Sequence, residues 1–213
     1  MLSKYFRQNW PPVKLQSADR LNPDGINGLA NCYVDGIGVS KNIEKATELF
    51  EQAISMGSTK AMNNLAGLYF SGHGVKKDYE KAADLYKRAN SMGDTNALFP
   101  LGVFYSKGFG IKKDLKKAFE FFEKAASIGC VNSMINLGQM YSSGKGVKQD
   151  SKRAAEYYKQ AVDKNSPEAM FFLAVLYQYG VGVKKSLPKA KELFQKAANL
   201  GYEYAAKELA KIK

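Results

Sequence analysis

The sequence holds little of what metal or imidazole chemistry requires: one histidine and two cysteines in 213 residues. Neither a zinc site nor a histidine-based catalytic pair can be assembled from so few ligands, and two cysteines cannot form a disulfide framework. Neither a metal nor a cofactor is expected. Arginine occurs four times, at Arg7, Arg20, Arg88 and Arg153, so bidentate recognition of bases or phosphates is poorly supplied. No apolar run approaches the roughly 18 residues that a membrane span needs. Acid is the minority charge, 20 Asp plus Glu against 32 Lys plus Arg, for a formal +12 at pH 7. What remains is ordinary for a packed domain: 45% apolar and 12% aromatic residues suffice to bury a core and exclude disorder.

Residues 1–23 stand apart from the rest. Leu2, Tyr5, Phe6 and Trp10 lie at helical spacing, with Lys4, Arg7 and Lys14 nearby and no acid before Asp19. Charge interrupts the apolar positions, which excludes a secretory signal, and Pro11-Pro12 would stop any helix there. Two readings stay open, a docking arm or cap and a presequence-like targeting segment. They place the protein inside the cell, in mitochondria or cytosol.

From residue 24 onward the chain repeats. The pairs Gly36/Gly38, Gly72/Gly74, Gly108/Gly110, Gly144/Gly146 and Gly180/Gly182 recur every 36 residues, each followed by Val or Ile. A fixed period of this length marks a stacked array of supersecondary units. Upstream of each pair runs an apolar stripe of helical period, such as Ala61, Leu65, Leu68 and Tyr69 or Ser133, Leu137, Met140 and Tyr141. Each unit therefore opens with a helix, here termed helix A. Downstream, the column Asn42, Asp78, Asp114, Asp150 and Ser186 contains only good N-cap residues, so a second helix, B, starts there. Its stripe alternates small and large residues, as in Ala46, Leu49, Phe50 and Ala53. It ends at Gly57, Gly93, Gly129, Asn165 and Gly201, residue types that tolerate a left-handed C-cap. The spacing predicts repeats at about 24–57, 58–93, 94–129, 130–165 and 166–201, then a terminal helix within 202–213, placed at Tyr204–Ile212. Pro100 falls about six residues after the Asp94 cap, where it should kink a helix interior.

This pattern of Ala, Leu, small residue, Tyr, Gly-x-Gly-Val/Ile, cap and closing Gly resembles the Sel-one-like repeat family, a relative of the tetratricopeptide repeats. The resemblance covers roughly residues 25–213. It implies an all-α fold, a right-handed α-α superhelix or solenoid of helix-turn-helix repeats. It also implies a non-enzymatic adaptor or scaffold that assembles protein complexes. The regularly spaced cysteine pairs that staple some members are missing from this chain.

By the same resemblance helix A lines a concave groove, and its second face is unlike a solvated one. Repeat one contributes Asn27 and Asn31; repeat two Lys60, Asn63, Asn64 and Phe70; repeat three Asn96, Phe99 and Val103. Repeat four adds Asn132, Ile135, Asn136 and Gln139, and repeat five Phe171, Phe172, Val175 and Gln178. Amides can bond both N–H and C=O of an extended peptide, while Phe and Ile offer pockets for its side chains. The expectation is a protein segment bound in this groove; the alternative for the same residues is packing between repeats.

The basic residues have a different address. Lys76, Lys77, Lys112, Lys113, Lys148, Lys184 and Lys185 follow the glycine pairs, and Lys45, Lys81, Lys117, Arg153 and Lys189 fall in the first turn of helix B. Stacking would align them as a ridge, either solvated or docking to RNA, lipid or acidic protein. Aromatics lie in core columns away from the lysines, so nucleic acid is not the favoured partner. An integral subunit of a large complex is the alternative to a free adaptor.

The remaining chemistry is thin. Ser142-Ser143-Gly144-Lys145 and Ser186-Leu187-Pro188-Lys189 match a loose Ser-x-x-Lys string without companion motifs, and both fall on repeat punctuation. His73 occupies a variable slot in a Gly-x-Gly turn. Cys32 reads as a buried small hydrophobe, and Cys130 replaces a helix cap, where the helix dipole would favour a thiolate.

Overall fold

The computed structural model describes residues 22–211, and the proposed arm or targeting segment lies outside them apart from its last two residues. The order is α1 (Pro23–Asp35), α2 (Ile43–Ser55), α3 (Thr59–Ser71), α4 (Tyr79–Ser91), a 3-10 turn (Thr95–Ala97), α5 (Leu98–Lys107), α6 (Leu115–Ser127), α7 (Val131–Ser143), α8 (Ser151–Asp163), α9 (Pro167–Tyr179), α10 (Leu187–Asn199) and α11 (Glu203–Leu209). There is no strand among the described residues. Odd-numbered helices up to α9 are the A helices and even-numbered ones the B helices, and each A packs most closely on the B that follows it.

The helix boundaries follow from local chemistry. Asn42, Asp78, Asp114, Asp150 and Ser186 cap the five B helices, each side chain accepting the backbone N–H three residues on. Each cap residue also donates its own N–H, over 2.9 Å, to the carbonyl of the helix-A tyrosine nine residues earlier: Tyr33, Tyr69, Tyr105, Tyr141 or Tyr177. That bond closes the Gly-x-Gly turn identically in every repeat. At Gly110 (φ +62°) a side chain is excluded twice over, by the left-handed backbone and because a Cβ would meet the backbone of Tyr79 and Glu80. Asn165, at φ 64°, is the only non-glycine with positive φ among the described residues, and it ends α8 where the other B helices use glycine.

Two expectations need correction. Pro100 does not kink a helix interior: a 3-10 turn delays the α-helix until Leu98, which leaves the proline in the first turn, where its missing N–H would lack an intrahelical partner anyway. The terminal helix is α11, Glu203–Leu209, shorter than expected and one residue earlier.

The described residues form two compact units. The first runs to Ala97 and includes Phe109–Ile111; the second holds Leu98–Gly108 and everything from Lys112. In the first, Ala46, Leu49, Phe50 and Ala53 of α2, Ala61, Met62 and Leu65 of α3 and Ala82 and Tyr86 of α4 are buried. In the second, one core gathers Ala118, Phe122, Leu137, Tyr158 and Leu173, and another joins Met170, Phe194 and Ala205. Each phenylalanine buried this completely contributes about 2–3 kcal/mol by the area removed from water. Glycine permits the closest approaches: a Cβ at Gly102 would lie 2.5 Å from the Phe122 ring, and one at Gly138 would strike Tyr158.

Candidate functional site

The helix-A face in the first unit is largely occupied by its own hydrogen bonds. Asn64 donates to Asn27 Oδ1 at 2.9 Å and Asn31 Oδ1 at 3.3 Å, tying α3 to α1. Lys60 pairs with Asp24 at 3.2 Å. Asn63 donates to Asp94 at 2.9 Å, which leaves its Oδ1 buried and without a partner. Asn96, exposed, donates to the same carboxylate. Partial burial works against ionisation of Asp94, but the Asn96 N–H and the side chains of Thr59, Asn96 and Asn63 outweigh it and hold the carboxyl below its ordinary range. Phe70 packs with Tyr79 and Phe109 at ring separations of 5.7 and 5.6 Å.

In the second unit the face is more open. Asn132 and Gln139 are exposed on α7, with Asn136 half-buried between them and donating to the Asn132 carbonyl at 2.7 Å. Ile135 is only 3% exposed and belongs to the core, so it offers no pocket. Phe99 and Val103 are half-buried on α5, the former 6.0 Å from Phe122. On α9, Phe172 stacks on Tyr158 at 5.3 Å, and Phe171 sits among Phe194, Tyr202 and the exposed Tyr204. Val175 and Gln178 complete the row half-buried, with Gln178 Oε1 lacking a partner.

Lys76, Lys77, Lys112, Lys113, Lys148, Lys184 and Lys185 are all exposed. Lys77 also lies over the Tyr79 ring at 5.8 Å, and of the five first-turn bases Lys45 pairs with Glu48 while the other four lie over rings. Lys81 lies over Tyr69 at 5.1 Å, Lys117 over Tyr105 at 5.5 Å, Arg153 over Tyr141 at 5.6 Å and Lys189 over Tyr177 at 5.4 Å. Bases and aromatics therefore do interleave, against the sequence expectation, as a column of cation–π contacts. The signal was present in the constant spacing of twelve residues from each helix-A tyrosine to its base.

Two clefts lie on this column. In the first unit one of about 580 Å³ is lined by Glu51, Tyr69, Glu80, Lys81, Asp84 and Arg88 among others. In the second unit one of about 460 Å³ is lined by Lys159, Tyr177, Gly182, Val183, Lys184, Lys185, Ser186 and Lys189.

The thiols and the histidine show no assembled chemistry. Cys32 and Cys130 are free. Cys32 is half-buried where Leu68, Phe104, Met140 and Leu176 are buried, which corrects its reading as a buried small hydrophobe. Cys130 caps α7 without a side-chain hydrogen bond. His73 is exposed, with Nε2 2.7 Å from Lys41 Nζ. No helix among the described residues is long and apolar enough to cross a membrane.

Comparison with known proteins agrees with this geometry. The model of the Sel1 repeat matches five times, over residues 23–58, 59–94, 95–130, 131–166 and 167–202. No curated protein matches. Among solved structures, a Sel1 repeat protein from Oxalobacter formigenes is 30% identical with a TM-score of 0.86, over 92% of this chain and 78% of that one. The protein c5321, a protective antigen of uropathogenic Escherichia coli displaying an SLR fold, is 29% identical with a TM-score of 0.84, over 89% of this chain. This chain spans only 41% of that antigen's length. Helicobacter pylori cysteine rich protein B is 32% identical with a TM-score of 0.50, over 63% of this chain and 97% of that one.

Proposed function

The chain belongs to the Sel1 repeat family, whose members generally mediate protein–protein interaction and are typically not enzymes, and from that premise we propose that it is a non-enzymatic scaffold binding a protein segment along its helix-A face within a larger assembly. The supporting observation is the segregation of charge. In a chain of +12, the helix-A positions of α7 and α9 hold amides and half-buried aromatics, while the lysines crowd the turns and the starts of the B helices. A surface on which Glu168 is the one charged side chain of α7 and α9, with exposed Asn132 and Gln139 on α7 and half-buried Phe171, Val175 and Gln178 on α9, suits an extended segment, whose backbone the amides can bond and whose side chains the rings can cover. The amides of α1 and α3, already bonded to one another, serve packing first.

The test is a charge change on residues that carry no internal load. Asn132→Glu with Gln139→Glu should cut capture of protein partners at least tenfold while the thermal midpoint stays unchanged. Lys112→Gln with Lys113→Gln should leave capture intact. Undiminished capture by a folded Asn132→Glu/Gln139→Glu variant would remove this face as the binding surface.

A further inference from the structure

We propose that the cleft between α8, α9 and the start of α10 is a binding site for a phosphate dianion. Lysines from three elements converge on it: Lys159 from α8, Lys184 and Lys185 from the turn, and Lys189 from α10. No carboxylate lines the cleft, and none of the four lysines belongs to an ion pair found among the described residues. Its volume, about 460 Å³, is ample for a phosphoryl group.

The repeat supplies an internal control. The cleft in the first unit uses the same columns, with Glu51, Tyr69 and Lys81 where this one has Lys159, Tyr177 and Lys189. There the base is answered by acid: Glu51, Glu80 and Asp84 line the cleft, and Lys81 lies 3.9 Å from the cap carboxylate of Asp78. In repeat four the cap Asp150 likewise sits 3.8 Å from Arg153. Repeat five replaces that carboxylate with Ser186, whose hydroxyl accepts the Lys189 N–H but carries no charge. Relative to the first unit, Lys for Glu at 159, Pro for Glu at 188 and Ser for Asp at 186 remove three carboxylates, and the acid that remains in the column, Glu192 in place of Asp84, pairs with Lys196 at 2.7 Å and does not line this cleft. The Tyr177 ring lies under Lys189, 5.4 Å from its Nζ, and the Lys185 stem lies close to the turn at Gly180. A methyl at Gly180 would lie 3.0 Å from Lys185 Cβ, so glycine there leaves room for that side chain. Lysine suits this task, since a phosphate held by several point charges does not need a bidentate fork.

The site is independent of the helix-A face, and its test does not involve that face. With the full chain at 0.15 M salt, pyrophosphate and a phosphoserine peptide are titrated calorimetrically, beside the unphosphorylated peptide and a single-stranded RNA. Saturable binding of pyrophosphate or phosphopeptide is expected, weakened at least tenfold by Lys159→Glu or by Ser186→Asp, each with an unchanged thermal midpoint. Lys112→Gln/Lys113→Gln should leave it unaltered. Phosphopeptide tighter than pyrophosphate identifies a phosphorylated protein as the source, and the reverse order a free phosphate compound. The proposal is overturned if neither probe binds below millimolar concentration, if Lys112→Gln/Lys113→Gln weakens binding as much as Lys159→Glu, or if only RNA binds.

Discussion

Two glycines on equivalent helices make opposite predictions for one substitution. Gly67 in α3 has open space where a Cβ would go, whereas a Cβ on Gly138 in α7 would strike the Tyr158 ring, with two further ring atoms at 2.8 Å. Alanine in a helix interior is favoured over glycine by about 1 kcal/mol, so Gly67→Ala should stabilise by roughly that amount. At Gly138 the same gain meets a carbon contact well inside the comfortable separation of about 3.5–4.0 Å. The ring must retreat within a packed core, at a cost of about 1–3 kcal/mol. Gly138→Ala should therefore be neutral to destabilising by roughly 2 kcal/mol, which sets the two variants about 1–3 kcal/mol apart. Urea denaturation followed by helical circular dichroism reads the difference as a midpoint raised for Gly67→Ala and unchanged or lowered for Gly138→Ala. In a Tyr158→Ala background the obstruction is gone and Gly138→Ala should stabilise by about 1 kcal/mol. Two variants shifting the midpoint alike, or a Gly138→Ala penalty that persists without Tyr158, would refute the close-approach reasoning.

Three further outcomes can be checked on the same protein. Cys130→Ser should stabilise by about 0.5–1 kcal/mol, because Ser58 and Ser166 cap α3 and α9 through their hydroxyls while Cys130 makes no such bond; an unchanged urea midpoint would contradict this. Burial pushes the Tyr158 phenol up to about 12, so the folded state keeps a proton that the unfolded chain releases near pH 10. Stability from this group is full below that pH and falls as pH climbs toward 12, and Tyr158→Phe should flatten the alkaline limb of thermal midpoint against pH. Lys117→Gln should cost about 0.5–1 kcal/mol through loss of its contact with Tyr105, with an effect that persists in 0.5 M salt; a loss abolished by salt would mark it as long-range charge instead.

The architecture was legible wherever one residue answers one local demand. The five B-helix caps, the left-handed closures at Gly57 through Gly201 and the substitution at Asn165 were all readable, because an orphan N–H or a positive φ selects its residue irrespective of the rest of the fold. Pro100 was misread because the sequence does not show a 3-10 turn postponing the α-helix by a few residues. Cys32 was misread because its burial was inferred from the Leu, Phe and Met of its column, and a column does not fix the exposure of each member. At the surface, column reading grouped Ile135 with Asn63 and Phe171, yet side-chain size and position in the array bury the first and leave the other two half-exposed. The pairing of Asn64 with Asn27 and Asn31 depends on how α1 and α3 pack, so no single repeat encodes it. The lysine–tyrosine column was periodic and findable, but charge and core were read as separate addresses.

The central claim is that partners contact the helix-A face rather than the exposed residues of the B helices. A photo-crosslinking residue at exposed Gln139 on α7, set against one at exposed Gln160 on α8, reads this directly in cells. A discrete protein adduct at Gln139, absent at Gln160 and lost when Asn132→Glu is added, is the predicted result. Adducts at Gln160 alone, or the same adducts from both positions, would contradict the account.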